Sequence, residues 1–322
     1  MTFTPGTSHR PQTTPSPEPP KMTESMPSAE IPDEPDGQRT DKPMVGWRRY
    51  IHSFVIIPAF VALLFVALFY VLSSAGRKLT VADYLQSIRE GNHTVRWQSA
   101  LELSKLLADP SQVPDDDEFL PTVLKLFNDE ALYQDEPRVR LFLSLAMGRT
   151  GSPECFDPLM SAMEQAGGVE EQSVYIRALG FLGDTNAVDV LLSKLNHTDT
   201  VLRHEAVQAL GFIGAEKSRL ALRVMLKDPE PNVRWDAAVA LAKMKDNAAK
   251  PVLMDLLDRD YYAAFPDVRP EGRTKAMETA AHAAAFLNDP DLNVKIKQLS
   301  ESDPNIRVRG TALEIVQRHE LD

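Results

Sequence analysis

Histidine and glutamate are common metal ligands, and the adjacent His204 and Glu205 are the residues in this sequence best suited to that chemistry. A two-metal site, however, needs ligands that converge from several helices. The segment around His204 recurs along the chain, as described below, and in the other copies the same two positions are occupied by different residues. These pairs are Trp97-Gln98, Leu141-Phe142, Ser173-Val174, Trp235-Asp236, Thr274-Lys275 and Gly310-Thr311. Since none of these is a His-Glu pair, we predict no metal site here and retain His204 only as a candidate contact for a partner.

Other catalytic chemistry has little support. Cys155 is the single cysteine, which excludes an internal disulfide framework, and no histidine lies near it in sequence. A lone cysteine of this kind is usually a small buried apolar residue. The sequence contains no His-Glu-x-x-His, no Gly-x-Ser-x-Gly and no phosphate-binding glycine loop. We therefore predict no catalytic residue and no cofactor.

A column of arginines is the clearest regular feature. In each case a small or apolar residue follows three positions later, and Gln172 occupies the one position where the register lacks the arginine. The arginines are Arg96, Arg140, Arg203, Arg234, Arg273 and Arg309. The formal charge of −11 disfavours a nucleic-acid partner, and with Gln172 it also argues against an anion-binding stripe. We interpret the column as structural.

These arginines lie in segments that repeat. Leu179, Leu210 and Leu241 occupy equivalent positions at steps of 31 residues, which indicates a stacked array. The apolar spacing is helical, and no strand-like alternation competes with it. We predict an all-α solenoid of about seven helical pairs over residues 79–322. The first helices are placed at 80–90, 117–127, 153–165, 186–195, 217–226, 248–257 and 292–299.

The N-terminal part has a different character. Residues 1–46 are rich in proline and polar residues and are predicted to be a disordered tail. Residues 47–76 are predicted to be a transmembrane helix with its flanks, with 51–74 in the bilayer, because no Asp, Glu, Lys or Arg occurs from Tyr50 to Gly76. A weak positive-inside bias favours a single-pass protein with an extracytoplasmic solenoid, and the reverse topology stays open.

The segments from Asp199 to Gly214 and from Pro229 to Lys243 follow, with departures, the pattern Asp-x-x-x-(Val/Leu)-Arg-x-x-Ala-x-x-x-Leu-Gly-x-(Ile/Leu)-Gly. This pattern resembles HEAT repeats, and more closely the short HEAT-like repeats named after phycobilisome lyases. The resemblance covers about residues 79–322. It implies a protein-binding role and column arginines that each reach an aspartate of the neighbouring unit.

Two enzyme classes are the alternative that this resemblance raises. One is deoxyhypusine hydroxylase, which looks like a HEAT-repeat enzyme whose diiron site is built from His-Glu pairs in several repeats. In this chain only one such pair, His204-Glu205, stands in register. No residue can be assigned a role in bilin transfer by a HEAT-like lyase. The favoured function is a membrane-anchored scaffold or accessory subunit, and a lyase or metal-dependent hydroxylase is kept as the alternative.

Trp97 and Trp235 each follow a column arginine directly. At 100° per residue, Trp235 lies roughly opposite the apolar stripe of its helix. That position predicts exposure on the inner surface of the solenoid, where an aromatic side chain can anchor a partner. The alternative is that the ring packs against the next repeat.

An insertion at residues 259–272 lengthens the sixth unit. It contains Tyr261, Tyr262 and Phe265, which is unusually aromatic for a loop. Loops inserted into solenoids are common contact points. We therefore consider this segment the best candidate for binding an unidentified protein partner, with local packing over a repeat junction as the alternative.

Overall fold

The computed structural model describes residues 60–66 and 79–319 of the 322-residue chain. The chain divides into two compact units, Met1–Gly76 and Arg77–Asp322. In the first unit, residues 60–66 form a helix. In the second, all the regular structure of the described residues is helical. The all-α prediction is therefore confirmed.

The predicted localisation as a single-pass membrane protein with an extracytoplasmic solenoid is wrong. No helix in the described part of the chain is long and apolar enough to cross a bilayer. The remainder of the proposed span at 51–74, and the proposed tail at 1–46, lie outside the described residues.

Seven helical pairs follow one another from residue 81. They are α1 (Val81–Glu90) with α2 (His93–Leu106), α3 (Phe119–Phe127) with α5 (Pro137–Thr150) and the short α4 (Glu130–Asp135) between them, α6 (Phe156–Gln165) with α7 (Val169–Leu182), α8 (Val188–Lys194) with α9 (Thr200–Ile213), α10 (Arg219–Met225) with α11 (Pro231–Lys243), α12 (Lys250–Leu256) with α13 (Pro270–Leu287), and α14 (Pro290–Ser302) with α15 (Ile306–His319).

Several first helices are shorter than predicted because a single 3₁₀ turn precedes them. Such turns occupy Pro153–Cys155, Thr185–Ala187, Glu216–Ser218 and Asn247–Ala249. The inserted segment of the sixth unit contains a longer 3₁₀ helix, Asp260–Ala264. Short 3₁₀ turns are frequent at helix ends. The pairing predicted from apolar spacing therefore holds, with small shifts at the boundaries.

The core runs through the whole array, because the second helix of each pair contacts the second helices of the neighbouring pairs. Glycine permits these close approaches. A Cβ added to Gly180 would lie 2.6 Å from the Cα atom of Ala209, and one added to Gly211 would lie 2.7 Å from the Cβ atom of Ala240. The helices α7, α9 and α11 therefore pack with their backbones close together.

Three of the second helices end in the same way. Gly151, Gly183 and Gly214 each adopt a left-handed conformation with φ between 65° and 74° and close α5, α7 and α9. Glycine pays no Cβ penalty in that region. Lys245 takes the equivalent position after α11 with a φ of 57°. The repeat thus fixes the helix lengths, and with them the register of the side chains on its surface.

Candidate protein-binding surface

Four of the six column arginines bind the loop that leads into their own helix. Arg203 Nη1 donates to the carbonyl oxygens of His197 and Thr198, each at 3.0 Å. Arg234 Nη1 makes the same contacts with Asp228 and Pro229, at 2.7 and 2.9 Å. The remaining contacts of this type are Arg273 with the carbonyl of Val268 and Arg309 with the carbonyl of Asp303. These arginines hold the turn inside each pair.

Two column arginines also reach the next unit. Arg203 donates to both carboxylate oxygens of Asp228, at 2.9 and 3.1 Å, and Arg96 Nη1 lies 2.8 Å from Asp135 Oδ2. Arg140 differs, since its guanidinium carbon lies 4.5 Å from the ring centroid of Tyr133 and its Nε has no hydrogen-bond partner among the described residues. Contact with a neighbouring aspartate is therefore one of several arrangements within the column.

His204 and Glu205 interact with different neighbouring helices. Glu205 in α9 is buried and accepts hydrogen bonds from Arg177 of α7, including one from Nε at 2.9 Å. His204 Nε2 lies 2.7 Å from Asp236 Oδ2 of α11, and Gln208 Nε2 donates to that same oxygen at 2.6 Å. The hydrogen bond with Asp236 raises the pKa of His204, although partial burial opposes it. The pair therefore links three consecutive second helices.

No metal centre is visible in the part of the chain that the structure describes. Residues 60–66 and 79–319 contain no group of three or more His, Cys, Asp and Glu side chains placed to hold a metal ion. Cys155 is fully buried, its sulfur lies 3.6 Å from the Thr150 hydroxyl, and burial raises the pKa of its thiol. Burial therefore favours the neutral thiol over the nucleophilic thiolate.

The exposure predicted for Trp235 is wrong, and the alternative of packing against the next repeat is the one observed. Trp235 is only 8% exposed, and its Nε1 lies 3.2 Å from the hydroxyl oxygen of Tyr261. Its ring centroid lies 5.4 Å from that of Phe265 in an edge-on arrangement. Tyr262 is fully buried and donates from its hydroxyl to the carbonyl of Leu256 at 2.9 Å.

The inserted segment therefore folds over α11. Tyr261 and Phe265 remain half-buried, whereas Trp235 and Tyr262 are buried, so these two cannot contact a partner without rearrangement of the segment. The aromatic composition of 259–272 is explained by this local packing. That this segment binds a partner stays a prediction. The side chains that could make the contact are Tyr261 and Phe265.

Trp97 lies at the other end of the array and remains half-buried. The guanidinium carbon of Arg138 lies 4.3 Å from its ring centroid, and the ring of Phe142 lies 6.3 Å away. Arg138 is held by Glu136, which accepts from its Nε at 2.6 Å and from its Nη2 at 2.7 Å. Trp97 thus joins α2 to α5 and presents one ring face to a cation.

A second column, nine residues after the arginine position, was missed by the sequence reasoning. Every member is basic or is phenylalanine. The residues are Lys105, Arg149, Phe181, Phe212, Lys243, His282 and Arg318. A comparison of every repeat position, rather than only those beside the arginine, would have found it. We use the term second-helix face for the exposed and half-buried side chains two, five and nine residues after the column arginine position.

Four central members of that column form a continuous row. The guanidinium carbon of Arg149 lies 4.5 Å from the ring centroid of Phe181, and the rings of Phe181 and Phe212 lie 5.2 Å apart in an edge-on arrangement. Lys243 Nζ lies 5.2 Å from the centroid of Phe212. We call these four residues the cation–phenyl row. It crosses α5, α7, α9 and α11.

A shallow depression of about 160 Å³ borders this row, between α9 and α11. Its lining includes Gln208, Phe212, Asp236 and Lys243. Phe212 is 52% exposed even though it is packed between two neighbours of the row. The second-helix face therefore combines a fixed apolar centre with cations at both of its edges.

Comparisons with known proteins agree with the repeat architecture. The family model of HEAT repeats matches residues 169–223 and 188–264. A search of curated proteins finds no match. The model of HEAT repeats thus matches the central pairs, where the 31-residue spacing is most regular.

Three solved structures are similar to this chain over most of its length. The complex of CpcE and CpcF of phycocyanin lyase from Nostoc sp. PCC7120 is 19% identical, with a TM-score of 0.48, over 74% of this chain and 96% of that one. Human deoxyhypusine hydroxylase is 18% identical, with a TM-score of 0.34, over 79% and 88%. An engineered protein is 16% identical, with a TM-score of 0.37, over 74% and 96%. These values carry no information on activity. The family match identifies HEAT repeats over residues 169–264, within the array of seven helical pairs.

Proposed function

We propose that this protein is a binding scaffold that holds a protein partner against its second-helix face. The observation that carries the proposal is the cation–phenyl row. Phe181 and Phe212 are large apolar side chains kept at the surface, with Arg149 and Lys243 beside them. Aromatic and arginine side chains are enriched at the energetically dominant positions of protein interfaces.

The rigidity of the row supports this function. The residue before Phe181 is Gly180 and the residue before Phe212 is Gly211, and both glycines lie at the close approaches between second helices. The backbone beneath the row is therefore fixed by packing. A surface that is already ordered loses little conformational entropy when a partner binds, which favours affinity.

The sequence-derived candidates take different places in this proposal. Trp97 and His204 lie on second helices and are half-buried, so they extend the contact surface. Tyr261 and Phe265 form a rim at the inserted segment. Trp235 and Tyr262 support that rim from beneath.

Site-specific photo-crosslinking in cells tests the scaffold function. A photoreactive amino acid replaces Phe212 in the full-length chain, and the matched control replaces Leu220, which is 72% exposed on α10. We expect a discrete adduct from position 212 that position 220 does not give. Identical adducts from both positions, or none from position 212, would contradict the proposal.

A further inference from the structure

The charges on the second-helix face are unevenly satisfied. Each of its carboxylates has a neighbouring basic side chain, because Asp236 contacts His204, Glu278 accepts from Arg307 at 2.7 Å, and Glu314 accepts from Arg318. In the described part of the chain, no carboxylate of the face is therefore left without such a neighbour. The net negative charge of the whole chain therefore does not describe the charge of this surface.

The cations of the row have no such partners. Within the described residues, neither Arg149 nor Lys243 has a carboxylate at ion-pair distance, although Lys105 and Arg318 in the same column are paired with Glu102 and Glu314. Arg149 Nε is buried and has no hydrogen-bond partner in the part of the chain that the structure describes, and burial lowers the pKa of this guanidinium. A partly desolvated cation without a counter-charge is costly, so an incoming carboxylate would relieve that cost.

The spacing limits what can occupy the row. The contacts of 4.5, 5.2 and 5.2 Å along the row place the guanidinium carbon of Arg149 no more than about 15 Å from Lys243 Nζ. Two phenyl rings lie between these cations, so a ligand that contacts both must also cover the rings. An extended polypeptide spans this distance with about four or five residues at roughly 3.3 Å per residue.

The geometry points to a partner of defined chemistry: an extended acidic segment of another protein, with carboxylates near both ends and large apolar side chains in the middle. The carboxylates bind Arg149 and Lys243, and the apolar side chains cover Phe181 and Phe212. This inference rests on the proposed scaffold function. It specifies the class of partner and its orientation across the second helices.

Fluorescence anisotropy with the full-length chain tests it. The probe is a labelled six-residue peptide with two acidic residues at each end and Leu-Phe at its centre. One comparison peptide carries lysines at the ends, and another has Ser-Gly at the centre. We expect the acidic, apolar probe to bind at least tenfold more tightly than either.

Variants of the chain locate the binding. Arg149→Glu with Lys243→Glu should weaken probe binding at least tenfold and improve binding of the lysine-ended peptide. Lys243→Glu alone should weaken it several-fold, which keeps the test valid if the half-buried Arg149 does not tolerate replacement. The controls are Lys227→Glu for charge and Leu220→Ala against Phe212→Ala for apolar contact, since Lys227 and Leu220 are exposed away from the row.

Three outcomes would overturn the inference: equal binding of the lysine-ended peptide, probe binding unchanged by charge reversal, or self-association of the chain that Lys243→Glu abolishes. The last outcome would identify a second copy as the occupant. If the probe fails while position 212 still gives its discrete adduct in cells, only the acidic-segment inference fails. If that adduct is absent, the scaffold function itself fails.

Discussion

At the scale of single residues, neighbours in sequence serve different partners. His204 and Glu205 project from α9 in directions about 100° apart, so His204 contacts Asp236 of α11 while Glu205 contacts Arg177 of α7. Adjacent helical residues do not face one another, and these two therefore do not act as one ligand pair. The polar groups that suggested metal chemistry instead connect repeats.

Asp236 should control the protonation of His204. Its hydrogen bond raises the pKa of His204 above the ordinary value of about 6.5. The contribution of the His204–Asp236 contact to the free energy of unfolding is therefore fully present below the unfolded-state pKa of the histidine. It is lost as the pH rises through the folded-state pKa. In an NMR titration of the His204 ring, Asp236→Asn should lower the pKa, whereas Asp255→Asn, at an exposed position on α12, should leave it unchanged. An identical titration for Asp236→Asn and the parent chain would contradict this explanation.

Asp228 should be one of the most sensitive polar residues. It is buried and accepts two hydrogen bonds from Arg203 and one from the Glu230 amide. Burial by itself raises the pKa of Asp228, but these hydrogen bonds and the arginine charge outweigh that effect, so its pKa is lowered. Asp228→Asn should reduce the free energy of unfolding by about 2–3 kcal/mol at pH 7, measured with urea.

The control for Asp228 is Glu314→Gln, which removes an exposed ion pair with Arg318 and should cost less than about 0.5 kcal/mol. Because the pKa of Asp228 is depressed, its contribution is present above the unfolded-state value and is lost as the pH falls through the folded-state value. The stabilities of the parent chain and Asp228→Asn should therefore converge in acid. A constant difference across that range would argue against the ion pair as the cause.

At the scale of helices, the glycines determine how closely the repeats stack. Gly180→Ala forces a Cβ to within 2.7 Å of the Cβ atom of Ala209, and both atoms belong to rigid helices. Overpacking should outweigh the helix-propensity gain of up to about 1 kcal/mol, with a net loss of about 1–2 kcal/mol in thermal or urea unfolding. The matched control is Gly310→Ala in α15, where a Cβ meets nothing within 4 Å and a gain of about 0.5–1 kcal/mol is expected. Equal effects at the two glycines would show that close packing is not the cause.

Trp235 should be a stability residue. Its ring packs among three aromatic side chains of the inserted segment, so Trp235→Ala should cost about 3–5 kcal/mol in the free energy of unfolding. Phe212→Ala, at a ring 52% exposed, should cost less than about 1.5 kcal/mol. Urea unfolding of both variants measures the difference. A small loss for Trp235→Ala would mean that the segment packs loosely on α11.

The helices could be predicted from the sequence, but the contacts that their side chains make with other segments could not. Apolar spacing and Asp-Pro breaks are local signals, so the seven pairs could be predicted. The position of Trp235 could not, because a helical wheel assumes one buried side, whereas α11 is also covered by the segment 259–272. The cation–phenyl row depends on which side chains of successive repeats meet, and the spacing of a single helix does not contain that information.

At the scale of the whole molecule, net charge is a poor guide to local surface. Carboxylates such as Glu205, Asp246 and Asp303 are used between or within repeats, where they pair with arginines. An acidic chain can therefore present an apolar surface that is flanked by unpaired cations. The same internal pairing links each unit chiefly to its neighbours, as expected for an array whose stability is a sum of repeat and interface terms.

Stability should consequently vary along the array. The pairs that contain α7, α9 and α11 each pack between two neighbouring pairs, while the pair of α14 and α15 contacts the array on one side. In native-state hydrogen exchange, amides in α7, α9 and α11 should show the highest opening free energies and those in α15 lower ones. Gly180→Ala should lower protection in α7 and α9 more than in α15, because the weakened interface is local. Equal loss of protection in every helix would instead indicate that the array unfolds as a single cooperative unit. The rigidity of the second-helix face would then depend on every repeat being folded.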